Sequence, residues 1–264
     1  MYLPGFDDAY EKVQDDETPY NELVTTPEKL YLQQISSNIV MELPENFNYI
    51  DLGPGTEHKE RFIFEAASNA GKNFTYRPVD ISDRYLELAR IYAEEQGLAS
   101  KGIRLPFEDV SSNLSAEISN RFVSLGLTYS NYDPVQILSM LKVMANGGQV
   151  FINAQIRDRV DLDRLRQIYA DVAVPMLAPK LELLGLNINQ DMGDVEVTDG
   201  IRVWGTVRNI NEILEEKGVK SGDKMLLFQS LRPSLEDLED DVSNQFGEYK
   251  MFDTGESFVG VLAK

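Results

Sequence analysis

Tyr49-Ile50-Asp51-Leu52-Gly53-Pro54-Gly55-Thr56 is the stretch that decides the fold. Phe47 to Leu52 reads as a short strand that runs straight into a glycine turn. A strand ending this way delivers the chain to the carboxyl edge of a sheet. Gly53 and Gly55 then let the backbone bend sharply and let a ligand approach closely. A helix is expected over Glu57 to Ala70, starting near Thr56, whose hydroxyl can cap it. Its free N–H groups favour an anionic ligand group. An ordinary tight turn between strand and helix has the same look, so the loop has to be read with its neighbours.

Outward from the loop, short apolar runs alternate with helical stretches. Phe74 to Val79 is a strand ending in Asp80; Asp83 to Gln96 is a helix closed by Gly97. Ile103 to Phe107 is extended, and Arg121 to Leu127 is a third apolar run. Val135 to Met144 is a helix, and Val150 to Gln155 another buried strand. This alternation predicts an α/β fold: a doubly wound, Rossmann-like parallel sheet with helices on both faces. Residues 1–45 read as an acidic helical cap segment with breaks near Pro19 and Pro27, and with Leu30, Ile35, Ile39 and Val40 on one face. After a core over 46–159, residues 160–222 read as a helical and hairpin cap. It holds a helical stretch from Leu162 to Leu184, interrupted at Pro175 and Pro179, a hairpin over Val195 to Val207 turning at Asp199-Gly200, and a short helix at Asn211 to Lys217. Residues 223–264 return to the core sheet, with strands at Met225 to Gln229 and Ser257 to Leu262 around a helix at Leu235 to Gln245.

Composition narrows the class. The 264 residues carry a formal net charge of −19 and no cysteine. Thiolate catalysis, disulfides and thiolate metal sites are excluded, and no metal is expected. An acidic surface repels phosphate backbones and anionic lipid, so neither nucleic acid nor membrane is an expected partner. The first residues lack a basic segment, so no signal peptide is expected, and a cytoplasmic location follows. The oligomeric state is not readable.

The second strand sharpens the ligand. Asp80 sits across the crevice from the glycine loop, where it can accept from both ribose hydroxyls. It also opens a helix with Ser82 and can serve as a cap there. Dinucleotides and S-adenosylmethionine share this geometry. The third glycine of a dinucleotide fingerprint falls at His58, and Asp51 stands where a carboxylate can orient an amino-acid moiety. A reversed final strand in Met225 to Leu262 adds a feature typical of methyltransferases, by fold-level analogy. The cofactor expected is S-adenosylmethionine, with S-adenosylhomocysteine as product.

Gly53-Pro54-Gly55-Thr56-Glu57-His58-Lys59-Glu60-Arg61 resembles the G-x-G-T-x-x-K-x-R loop of the histidine Nα-methyltransferase family of the ergothioneine pathway. Pro78-Val79-Asp80-Ile81-Ser82 is similar to its P-V-D-[VI]-S segment. Gly126-Leu127-Thr128-Tyr129-Ser130-Asn131-Tyr132-Asp133-Pro134 is similar to its G-S-T-x-G-N-x-D-P segment. The resemblance runs from about residue 47 to 155. It implies that Asp51, Gly53, Pro54, Gly55, Thr56, Lys59, Asp80, Ile81 and Thr128 form the cofactor site, with Lys59 near the cofactor carboxylate. It further implies that Glu108, or Asp109 one residue on, meets the adenine amino group, and that Asn131 grips a substrate amino acid. Read without the resemblance, Lys59 is equally a solvated helix lysine and Asn131 equally a turn residue.

The substrate segments depart from that family. Its P-E-Y-Y-P stretch is matched by Pro27-Glu28-Lys29-Leu30-Tyr31, with one tyrosine, displaced. Its E-x-S-x-K segment, which holds an imidazole, aligns with Phe228-Gln229-Ser230-Leu231-Arg232. Ser230 is kept, but an apolar ring replaces the glutamate. A site built around a buried hydrogen bond loses orders of magnitude of affinity when one partner goes. The expected activity is therefore methylation of a small amino acid or amine-like metabolite other than histidine. Tyr31, Tyr129, Asn131, Tyr132, Phe228 and Ser230 are the expected substrate residues, although aromatic side chains at such positions also serve as plain packing. No general base is identifiable. The alternatives are a nicotinamide-dependent oxidoreductase or aminopropyltransferase on the same fold, or a non-catalytic module that binds S-adenosylmethionine.

Overall fold

The computed structural model describes residues 18–264 apart from Ala116, Leu184 and Asp199. The expected helical segment over residues 1–17, and Asp199 of the expected hairpin turn, lie outside the described residues. The core elements are β1 (Asn46–Leu52), α2 (Arg61–Asn69), β2 (Asn73–Asp80), α3 (Asp83–Glu95), β3 (Ile103–Arg104), α4 (Phe107–Asn113), β4 (Arg121–Leu125), α5 (Pro134–Ala145) and β5 (Gln149–Gln155). They are preceded by α1 (Thr26–Glu42). They are followed by α6 (Leu162–Leu183), α7 (Ile188–Asp191), β6 (Met192–Thr198), β7 (Arg202–Val207), α8 (Glu212–Glu216), β8 (Lys224–Gln229), α9 (Leu235–Gln245), β9 (Tyr249–Asp253) and β10 (Phe258–Ala263).

The main sheet has seven strands in the order β3-β2-β1-β4-β5-β10-β9. Strands β3, β2, β1, β4 and β5 are parallel. β10 inserts antiparallel between β5 and β9, the expected reversed final strand. The order reverses between β1 and β4, and a crevice opens at such a switch point beyond the carboxyl ends of the strands. Apolar residues on both faces of the central strands hold the sheet. Tyr49, Phe64, Phe74, Tyr76 and Phe122 form an aromatic cluster on one side, and Ile50, Val123, Leu138, Ile152 and Val261 pack on the other.

Several expectations need correction. β8 does not join the main sheet. It pairs with β7 in a three-stranded antiparallel sheet, β6-β7-β8, that buries Leu181, Met192, Val203, Val207 and Leu227. The apolar run Met225 to Phe228 suits either sheet, so the pattern alone did not assign it. α6 runs unbroken through Pro175 and Pro179. The chain is likewise helical straight across Pro27, which occupies the first turn of α1, where a missing N–H costs little. Leu30 is exposed, and the buried stripe of α1 is Glu28, Tyr31, Leu32, Ile35 and Ile39. The helix after the glycine loop begins at Arg61, so Thr56 does not cap it. Phe107 opens a helix rather than ending a strand. β9 carried too weak an alternation to be read.

Candidate functional site

The loops after β1 and β4 meet at the switch point and enclose a cavity of about 1150 Å3, part of it open to solvent. From the first loop come Asp51, Gly53, Pro54, Gly55, Glu57, Lys59 and Glu60. From the second come Ser124, Gly126, Leu127, Thr128 and Asn131. α1 contributes Glu28, α6 contributes Tyr169, and the end of β8 contributes Phe228 and Ser230.

Gly53 sits at φ +70°, its N–H donates to the Val79 carbonyl at 2.8 Å, and an added Cβ would come within 3.3 Å of the Phe107 ring. Both the left-handed backbone and the close approach require glycine here. Asp51 is buried and accepts the Tyr76 hydroxyl at 2.8 Å. Burial, and then the neighbouring Glu60 carboxylate, push it up to about 8. Glu60 is 3% exposed; its Oε1 meets His58 Nδ1 at 3.2 Å, and its Oε2 finds no donor among the described residues. The lone histidine therefore braces the loop.

α1 clasps the loop from above. Lys29 pairs with Glu57, and Lys59 Nζ lies 2.5 Å from Glu28 Oε2. Glu28 has no exposed surface, and its other oxygen accepts from Asn153 Nδ2 at 2.8 Å and from the Leu127 N–H at 3.3 Å. The Oδ1 of Asn153 is buried without a donor among the described residues. An ammonium has three N–H groups, so Lys59 can hold Glu28 and a further carboxylate together. Glu28, Asn153, Glu60 and Tyr169 were not among the residues expected from sequence. Glu28 had a legible signal: it falls in helical register with Leu32, Ile35 and Ile39, an acid on an apolar stripe.

Of the expected cofactor residues, Asp51, Gly53, Pro54, Gly55, Lys59 and Thr128 line the cavity. Asp80 and Ile81 lie at the end of β2, one residue beyond the carbonyl that Gly53 binds; Asp80 is 6% exposed and accepts the Ser82 N–H at 2.8 Å. Ser82 caps α3, so Asp80 braces the cap instead of providing it. Glu108 and Asp109 are exposed in the first turn of α4, and Thr56 is half-buried outside the cavity lining.

Of the expected substrate residues, Asn131, Phe228 and Ser230 line the cavity. Three do not. Tyr31 is 2% exposed in the core, where it stacks on Phe258 and its hydroxyl donates to the Phe252 carbonyl at 2.5 Å and accepts the Gly260 N–H. Tyr129 is buried among the residues of α5 and β5 on the far face. Tyr132 stands against Phe107, pushed up to about 12 by burial and then by Glu108. A tyrosine can bury its ring and still satisfy its hydroxyl, which is why the sequence did not separate core from cavity.

The family pattern described as histidine-specific, S-adenosylmethionine-dependent methyltransferase matches residues 20–171, more than half of the chain. The chain belongs to this family. It is an S-adenosylmethionine-dependent methyltransferase, and S-adenosylmethionine is its cofactor. The match ends within α6, ahead of the small sheet that carries Phe228.

No curated protein matches the sequence. Among solved structures, the methyltransferase is similar to the CMeT domain of the citrinin polyketide synthase: 10% identity, TM-score 0.51, 88% of this chain and 52% of that one. It is also similar to an S-adenosylmethionine-dependent methyltransferase from Clostridium acetobutylicum: 15% identity, TM-score 0.47, 97% of this chain and 98% of that one. A third, described as a Zn-dependent alcohol dehydrogenase from Rhodobacter sphaeroides, is 10% identical with TM-score 0.53 over 100% of both chains. At such identities the likeness is one of fold alone. The oxidoreductase and aminopropyltransferase readings therefore find no support. Among the described residues, no helix is long and apolar enough to cross a membrane.

The cavity suits its cofactor chemically. Its acidic lining of Glu28, Glu57 and Glu60 against Lys59 is an excess of acid that favours a ligand bearing a sulfonium and an ammonium. The glycine turn leaves room that a side chain would fill, and Lys59 supplies the cation for a carboxylate.

Proposed function

We propose that this methyltransferase acts on the amino group of a small amino acid or related amine other than histidine. The observation that carries the reading is the set of buried acceptors in the cavity wall. Glu28, Glu60 Oε2 and Asn153 Oδ1 are buried there, and the last two have no donor among the described residues. Buried acceptors want N–H partners, and a protonated amine brings three.

Asp51, Gly53, Pro54, Gly55, Thr56, Lys59, Asp80, Ile81, Glu108, Asp109 and Thr128 are assigned to the cofactor, with Asp80 toward the ribose and Lys59 toward the carboxylate. When bound, the cofactor supplies an electrophilic methyl group on a sulfonium. Asn131 and Glu28 orient the amine, and Glu28 is placed to hold the proton that the nitrogen must give up before its lone pair is free. Phe228 excludes imidazole by offering an apolar ring in place of a carboxylate. Of the earlier candidates, Asn131, Phe228 and Ser230 are kept for the substrate.

The test is turnover of S-adenosylmethionine by the purified protein over a panel of amino acids and amines, read as S-adenosylhomocysteine released and methylated product by mass. Methylation of an amine with histidine rejected is the expected result. Efficient trimethylation of histidine overturns the reading, and cofactor binding without turnover on any amine favours the non-catalytic module.

A further inference from the structure

The cap-side wall of the cavity has a polarity opposite to that of the buried acceptors. Ser230 is 2% exposed and lines the cavity, and its Oγ receives two donors: Arg232 Nη1 at 2.8 Å and the Tyr169 hydroxyl at 3.2 Å. A hydroxyl oxygen has two lone pairs and one proton. With both lone pairs engaged, Ser230 can offer a ligand only its O–H. Behind it, Arg232 is also 2% exposed. Every acceptor it meets is neutral: Gln155 Oε1 at 2.8 Å, the Ser230 carbonyl at 3.0 Å and the Leu231 carbonyl at 3.2 Å. Its Nη2 has no acceptor among the described residues. Gln155 cannot turn away, because its amide nitrogen is tied to the Leu23 carbonyl at 2.8 Å.

A buried guanidinium without a counter-ion is unfavourable, and an anion brought near it relieves that state. The wall around it is aromatic. Tyr20 meets Tyr169 edge-on at 5.9 Å, and Tyr169 stacks on Phe228 at 5.8 Å. Apolar surroundings weaken screening, so the charge of Arg232 is felt through Ser230.

We propose that this wall is an anion-accepting subsite. The substrate is an amine whose far end carries an anionic oxygen, taken by the Ser230 O–H with the Arg232 charge behind it. Its middle lies against Tyr20, Tyr169 and Phe228. The inference rests on the amine reading above and names the other end of the molecule. An imidazole loses the acceptor for its N–H at Phe228.

Calorimetry on the full protein saturated with S-adenosylhomocysteine tests it with two probes, L-4-carboxyphenylalanine and its uncharged isostere L-4-carbamoylphenylalanine. The carboxylate is expected to bind about 10-fold tighter or more. Arg232→Gln should bring the ratio to within about 2-fold. If Arg232→Gln loses its fold by circular dichroism, Ser230→Ala serves instead and should lower the ratio about 5-fold. Equal affinities in the unmodified protein, no binding of either probe, or a ratio untouched by the folded variant overturns the proposal. A failure of the amine reading alone looks different: 4-methylbenzoate still binds better than 4-methylbenzamide, while no amine is methylated.

Discussion

The two walls of one cavity were built by different rules. The wall assigned to the cofactor belongs to the carboxyl ends of β1 and β4, where strand, turn and helix follow each other within a few residues. The wall assigned to the substrate is assembled from α1, α6 and the end of β8, which are far apart in sequence and joined only by tertiary contacts. Leu231 N–H donates to the Ser130 carbonyl at 2.7 Å and Gln229 Nε2 to the Asn131 carbonyl at 3.4 Å, and these tethers set the small sheet over the β4 loop. The family match takes in the first wall together with α1 and Tyr169; the end of β8, with Phe228 and Ser230, lies beyond it. A fold can therefore keep its cofactor while a neighbouring sheet changes what is methylated.

Breaking the cofactor wall should have the largest effect. Gly53→Val places a branched side chain at φ +70° against Phe107. It should lower S-adenosylhomocysteine affinity by about 100-fold or more and reduce the Tm by several degrees, as left-handed backbone and steric overlap both penalise it. Titration calorimetry and thermal melting read the two effects.

Glu28 belongs to both walls and separates them. Glu28→Gln should lower kcat/KM for the accepted amine by roughly 10- to 100-fold, the usual range for a lost proton acceptor. Its effect on S-adenosylhomocysteine affinity should stay below about 5-fold, because Lys59 keeps its other donors. An equal loss in both would make Glu28 a cofactor residue only.

Phe228→Glu alters the substrate wall alone. It should raise histidine binding about 10-fold by returning a carboxylate acceptor, with cofactor affinity unchanged. Competition binding in the presence of S-adenosylhomocysteine measures it.

The smallest effect concerns Asp51. Its carboxyl is pushed up to about 8 when folded, against about 3.9 in an unfolded chain. Between those values the unfolded chain releases a proton that the folded chain keeps. Its contribution is thus fully present below about pH 4 and lost as the pH rises toward 8. Asp51→Asn keeps the acceptor for Tyr76 and removes the titration. The cofactor-free variant should melt higher than the unmodified protein at pH 8 and level with it at pH 4.

Legibility in the sequence followed the same divide. Gly53, Gly55 and Asp80 were readable because local backbone chemistry demands them in that order. The parallel sheet was readable from short apolar runs between helices. Phe228 drew notice only because a carboxylate was missing. Arg232 stood at the lysine position of a family segment and Gln155 at a strand end, but neither was an expected site residue, since a buried polar pair looks like surface until its burial is known. Tyr31 and Tyr129 misled in the other direction, because a tyrosine in the core and one in a cavity are spelled alike. The continuity of α6 through two prolines and the sheet chosen by β8 were decided by packing, which outweighs local propensity.

The loop Asp51 to Thr56 and the β2 end at Asp80 are assigned to one cofactor site. Titration of S-adenosylhomocysteine into the unmodified protein and into Asp80→Ala tests it most directly. One ligand per chain is expected for the first and no measurable binding for the second, with the variant still folded by circular dichroism. Equal affinity in the two proteins would contradict it.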